Sequence, residues 1–184
     1  MQLIQGIFNL GWAVLDLIPQ GEKLLTYGVV RTRRFKTNAE RTAEMMRRLA
    51  ALFREYTPAV LAYETYVYFG KKTIDITSSY KVHQIIGGIA MLAQFPPYPA
   101  LFEFLPKAWG LELTGSASHT KEMVARCVSL RLGLTITSTD GAHHSDAIGL
   151  GLVALAHWQR DQQIKHTEQT LALRQWGHRG SLNS

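Results

Sequence analysis

Ala59-Val60-Leu61-Ala62-Tyr63-Glu64 is an apolar run that follows Pro58 and ends in a carboxylate. A short run of aliphatic and aromatic side chains with no polar alternation reads as a central strand buried on both faces. Glu64 then stands at the strand's carboxyl end, where open α/β sheets place their ligands. A carboxylate kept beside apolar neighbours needs a metal, a base or water to solvate it. Taken alone, such a residue is more often an exposed strand-end glutamate than a ligand. A second stretch changes the balance: Asp140-Gly141-Ala142-His143-His144-Ser145-Asp146-Ala147 starts a helix in which His143 and Asp146, three apart, share a face. A strand-end Glu and a helix bearing His and Asp at that spacing can together hold a hard divalent cation.

Upstream of this strand, Thr37-Asn38-Ala39-Glu40 has the capping-box pattern, and Met45, Leu49, Leu52, Phe53 and Tyr56 recur at helical spacing. That stripe reads as core. Before it, segments 1–4, 8–17 and 24–30 alternate as strands do, and Pro19-Gln20-Gly21-Glu22 has turn chemistry, so the chain opens as an antiparallel meander. Arg31-Thr32-Arg33-Arg34-Phe35-Lys36 is strongly basic, and reads either as a phosphate contact or as a solvated strand end.

Downstream, Thr65-Tyr66-Val67-Tyr68-Phe69-Gly70-Lys71-Lys72 runs aromatic residues into a glycine and two lysines. Rings beside cations suit base stacking with phosphate contact, at about 1–3 kcal/mol per stacked base; a strand edge with core aromatics is the competing reading. Segment 79–94 reads as a helix that Pro96-Pro97-Tyr98-Pro99 ends, and 101–105 as a further strand, after which Pro106 and Lys107 turn the chain. A small-residue loop, Thr114-Gly115-Ser116-Ala117-Ser118, precedes a helix over 119–132. Lys121 falls in that helix's first turn, where a cation opposes the helix dipole, so a nearby phosphate or carboxylate explains it better than helix stability does. From Trp158 onward the chain is polar and reads as a frayed helix and tail.

With 184 residues, 46% of them hydrophobic, the chain suffices for one substantial core and is short for two domains. The 20 Lys and Arg against 14 Asp and Glu leave +6, which favours a polyanionic partner, nucleic acid first. The single cysteine, Cys127, excludes an internal disulfide framework and points to a reducing compartment. No apolar run approaches the roughly 20 residues of a membrane span. The expectation is a cytoplasmic protein with no membrane partner.

These elements, in this order, resemble the α/β ribonuclease H-like fold, a central mixed five-stranded sheet flanked by helices. More narrowly the chain resembles the RuvC family of Holliday-junction resolvases over 1–158, with 159–184 as a polar C-terminal tail. The resemblance is carried by Asn9-Leu10-Gly11-Trp12-Ala13-Val14, Glu40-Arg41, Tyr63-Glu64, Tyr68-Phe69-Gly70-Lys71, Gln84 with Gly87, Thr114-Gly115-Ser116-Ala117 with Lys121, and His143-His144-Ser145-Asp146-Ala147. It implies a structure-specific endodeoxyribonuclease of DNA recombination and repair, in which Glu64, His143 and Asp146 are catalytic metal ligands. Tyr68, Phe69, Lys71, Lys72 and Lys121 would contact DNA. The cofactor implied is Mg²⁺, with Mn²⁺ as an alternative, and the chemistry is two-metal phosphodiester hydrolysis. The partners implied are four-way junction DNA and a second copy in a homodimer, with a branch-migration complex as the further partner the resemblance allows. The resemblance departs at one position: the family's opening strand carries its first catalytic Asp eight residues before the tryptophan of the Gly-Trp pair, and here that position is Ile4. A junction-binding homologue with impaired cleavage is therefore the alternative expectation.

Overall fold

The computed structural model describes residues 2–5, 9–65, 76–136 and 143–180, with side chains over 9–65, 82–136 and 143–172. The expected contacts Tyr68, Phe69, Lys71 and Lys72 lie outside the described residues, as does Asp140. In the central strand β4 (Val60–Glu64), every residue from Val60 to Tyr63 is buried, and Glu64 is half-buried. It pairs in parallel with β1 (Gln2–Gln5) on one side and with β5 (Ala100–Phe104) on the other. β2 (Asn9–Ile18) and β3 (Gly21–Arg31) extend the sheet antiparallel beyond β1, as the opening meander predicts. The result is a mixed five-stranded sheet in the order β3-β2-β1-β4-β5.

Alternation along β4 divides its side chains between two cores. Leu61 and Tyr63 join Leu10 and Val14 against Met45, Leu49 and Phe53 of α1 (Asn38–Tyr56) and Ile85 and Ile89 of α2 (Ile76–Leu92). On the other face, Ala62 and Ala13 meet Trp109 of α3 (Pro106–Thr114), Val124 and Val128 of α4 (Lys121–Leu132), and Ala147, Ile148 and Leu150 of α5 (His143–Gly180). Helices thus cover both faces of the sheet, which is why β4 carries no polar alternation. The small residues Ala13 and Ala62 let α5 come close. Closest of all is Gly11, where a Cβ would stand 2.3 Å from the His143 carbonyl oxygen, so glycine is required there for the helix to start where it does.

The capping box is present in full: Glu40 N–H donates to Thr37 Oγ1 at 3.2 Å, and Thr37 N–H donates to Glu40 Oε2 at 2.9 Å. Two sequence readings need correction. Pro106 and Lys107 do not turn the chain; Pro106 opens α3, because proline's fixed φ suits the first helical position, whose N–H has no partner in any case. The polar stretch after Trp158 is not frayed but continues α5 as helix to Gly180, since residues 152–176 contain neither Gly nor Pro and are rich in Gln, Leu and Ala. Compactness divides the chain into Met1–Ala154 and Leu155–Ser184. Among the described residues no helix is long and apolar enough to cross a membrane.

Candidate functional site

Three helix starts or first turns gather at the carboxyl end of β4. Glu64 Oε2 accepts a hydrogen bond from Trp109 Nε1 at 2.8 Å. Trp109, on α3, is 2% exposed, so its ring is packed in the core and its N–H is a fixed donor. The same ring lies 5.5 Å, centroid to centroid, from His119, which fits only because Gly110 has no side chain. From the next helix, Lys121 Nζ stands 3.5 Å from Asp146 Oδ2 of α5; the lysine is 57% exposed and the aspartate 14%. A cation at the start of α4 opposes that helix's dipole, and Asp146 is the negative group it faces.

Burial pushes the Glu64 carboxyl above the usual range, against the Trp109 hydrogen bond; the Asp146 charge raises it further, and Lys121 lowers it. Burial likewise raises Asp146, opposed by the charge and hydrogen bond of Lys121 and then by the neighbouring imidazoles of His143 and His119. Burial and then Lys121 hold the His143 imidazole below its ordinary value, opposed by Asp146, so it is neutral near pH 7. Its Nδ1 is buried without a hydrogen-bond partner. The site therefore pairs two carboxylates that resist ionisation with an imidazole nitrogen in want of a partner.

That donor set fits a divalent cation. A cation would compensate the two desolvated carboxylates, and neutral imidazole is the form that ligates. Among the described residues, no three His, Cys, Asp or Glu side chains are grouped tightly enough to enclose an ion as they stand. The geometry thus brings Glu64, Asp146, Lys121 and His143 into one electrostatic neighbourhood, but as an open set rather than a closed cluster.

Position 4 completes the picture. β1 runs between β2 and β4, with Leu3 level with Tyr63 and Ile4 opposite Gly11. Continuing the parallel register by one residue puts Ile4 level with Glu64, and Gly11 is the residue against which His143 lies. Ile4 is thus at the strand position flanked by Glu64 on one side and the start of α5 on the other.

Trp109 and His119 were not singled out by the sequence reading. The one available signal was Pro106 as a helix opener, which would have turned Lys107-Ala108-Trp109 into a helix with an aromatic residue on its inner face.

The protein-family profile described as crossover junction endodeoxyribonuclease RuvC matches residues 4–157. The crossover junction endodeoxyribonuclease RuvC of Chlorobium phaeobacteroides is 32% identical over 152 residues, which are 82% of this chain and 77% of that protein. Among solved structures, Thermus thermophilus RuvC superposes with a TM-score of 0.72 at 23% identity, over 86% of this chain and 94% of that one. The same protein in complex with Holliday junction substrate gives 0.68 at 24% identity, over 82% of this chain and 88% of that one. The two structures share the fold described above, and the chain belongs to the RuvC family of crossover junction endodeoxyribonucleases.

Proposed function

We propose that the protein is a structure-specific endodeoxyribonuclease that resolves four-way DNA junctions by metal-dependent phosphodiester hydrolysis, with Glu64, Asp146 and His143 as its ligands. The observation that carries this reading is the partly buried pair Glu64 and Asp146, on a strand end and a helix start, each resisting ionisation and both acted on by Lys121. The solved complex of a relative with Holliday junction substrate supports the choice of DNA. Glu64 is held in place by Trp109, so its free oxygen keeps one orientation. Asp146 is paired with Lys121, whose exposed ammonium would also attract a DNA phosphate; Asp146 with Glu64 and His143 would hold the metal. Bound Mg²⁺ or Mn²⁺ would supply Lewis-acid stabilisation of the charge that develops on the phosphodiester oxygens. Tyr68, Phe69, Lys71 and Lys72 follow β4 in sequence by a few residues, and we assign them to DNA contact as well. A homodimer would present two such sites to the two opposed strands of a junction. The reading also places the nuclease within 1–158, with 159–184 as an appendage, acting in the cytoplasm with a branch-migration complex as its further partner.

One observation favours a second reading, a junction-binding protein with impaired cleavage: Ile4 stands at the register position beside Glu64, and isoleucine has no donor atom. The deciding experiment incubates the protein with a synthetic four-way junction and Mg²⁺ or Mn²⁺. Symmetrical nicks establish the resolvase. Selective binding of the junction over linear duplex without nicks establishes the binding protein, and the absence of any preference rejects both.

A further inference from the structure

The turn between β3 and α1 is the most strongly charged described segment that the site above leaves unused. Arg31, Arg33, Arg34 and Lys36 follow one another there with no acidic residue between them, and all are exposed. The turn is well held: Phe35 N–H donates to the Thr32 carbonyl at 3.0 Å, Thr32 is fully buried, and the Arg34 guanidinium lies 4.9 Å above the Phe35 ring. Internal neutralisation is incomplete. Arg34 is 3.9 Å from Glu44, but that carboxylate already takes Arg47 at 2.8 Å and Arg48 at 3.2 Å, so three guanidinium groups share one negative charge. Among the described residues, Arg31, Arg33 and Lys36 have no carboxylate within ion-pair distance. Repelling cations fixed in one short turn, without counter-charges of their own, suit a polyanion.

The turn is also continuous with the candidate site. Arg31 pairs with Asn9 in β2, two residues from Gly11, the position against which the His143 carbonyl is packed. Four residues before Arg31 on the same face of β3, Tyr27 is 47% exposed and meets His144 edge-on, ring centroids 5.2 Å apart. An exposed ring and then a row of cations therefore lead from the first turn of α5 along the outer edge of the sheet. Beside them, Arg31, Arg34 and Arg48 line a cleft of about 490 Å³ with Trp12 and the carboxylates Glu44 and Glu55.

We propose that the β3–α1 turn is a second phosphate-binding surface, on which Arg31, Arg33, Arg34 and Lys36 hold the sugar–phosphate backbone of the DNA arm that leaves the candidate site past the edge strand. This rests on the DNA reading above and deepens it by naming a contact surface. The surface binds backbone rather than bases: it offers exposed cations on a turn and puts no helix or ribbon forward to enter a groove.

The test measures junction affinity by fluorescence anisotropy across a salt series, for the parent, for Arg33→Ala/Lys36→Ala and for Lys23→Ala. Arg33 and Lys36 are exposed and, among the described residues, hold no ion pair, so their removal takes no such contact from the fold. Lys23, also exposed, lies on the same strand but eight residues from Arg31, roughly 26 Å away at the rise of a β-strand, and serves as the control. Each lost phosphate contact lowers the slope of log affinity against log salt by about 0.9, so the double variant should lose about 1.8 in slope while Lys23→Ala loses none. An unchanged slope in the double variant overturns the proposal and leaves the nuclease reading standing. An equal loss per charge in Lys23→Ala also overturns it, because the effect is then diffuse net charge. A parent that prefers no junction over duplex rejects the DNA reading itself, and this surface with it.

Discussion

Replacing Trp109 with Phe removes the hydrogen bond that holds Glu64 and keeps an aromatic ring in the same pocket. The bond is 2.8 Å long from a core donor to a half-buried carboxylate. Hydrogen bonds to charged groups contribute about 1.5–3 kcal/mol and neutral ones about 0.5–1.5. The smaller ring adds a pH-independent packing loss of about 1–2 kcal/mol by comparison with other core truncations. The pH dependence isolates the bond. Burial raises the Glu64 carboxyl in the folded state above its unfolded value. Its ionisation therefore costs stability, and the cost appears as pH rises through the folded value; at pH 4 the group is protonated and the cost is absent. The Trp109 bond offsets part of this cost only when Glu64 is charged. Trp109→Phe should thus destabilise by about 1–1.5 kcal/mol more at pH 7 than at pH 4, or about 2–6 °C in Tm for a domain of this size. Urea unfolding at both pH values measures the difference, and the same pair in a Glu64→Gln background should show none. Equal destabilisation at the two pH values would refute the reasoning, because the loss would then be packing alone.

Asp146→Asn should abolish cleavage and leave junction affinity intact or improved, since a ligand is lost while a negative charge is removed from beside the phosphates; a nicking assay run beside anisotropy checks it. Ile4→Asp should raise metal-dependent nicking, each 1.36 kcal/mol of recovered transition-state stabilisation being about tenfold in rate. The same variant should melt lower than the parent without Mg²⁺ and recover when the ion is added, because the new carboxylate is unfavourable beside apolar strand neighbours until compensated. Thr37→Ala should cost about 0.5–2 kcal/mol in chemical denaturation through loss of the α1 cap, with junction binding unchanged.

What could be read from the sequence was whatever is encoded by neighbours a few residues apart. β4 was legible because a strand covered on both faces is apolar at every position, and α1 because its capping box is a four-residue pattern. His143 and Asp146 could be placed on one face because the helix period fixes where residues three apart lie. The Trp109 bond to Glu64 crosses 45 residues and joins a helix to a strand, so no local pattern announces it. The helix over 158–180 was hidden for a different reason: it lacks an apolar stripe, and its regularity comes from backbone propensity rather than from a face to bury.

Lys121 shows how a tertiary partner can be read from a residue that is locally out of place. In the first turn of α4 its charge works against the helix dipole, and Thr120 with Glu122 already supply what that terminus needs. A cation kept at such a position implies a negative group near it, and in the fold that group is Asp146, 3.5 Å away on a different helix. Asp146 is accounted for in turn, because a mostly covered carboxylate that burial has raised must be compensated, and the ion pair with Lys121 does so. Each residue is unfavourable in its own segment and is explained only by the other. On the proposed reading Asp146 would hold a divalent cation and Lys121 would face a phosphate. Removing the ammonium with Lys121→Met takes a positive charge and a competitor for Asp146 from the site, so Mg²⁺ binding near pH 7 should be kept or tightened while junction affinity falls. A variant that bound the junction as the parent does would show that the lysine only balances the fold.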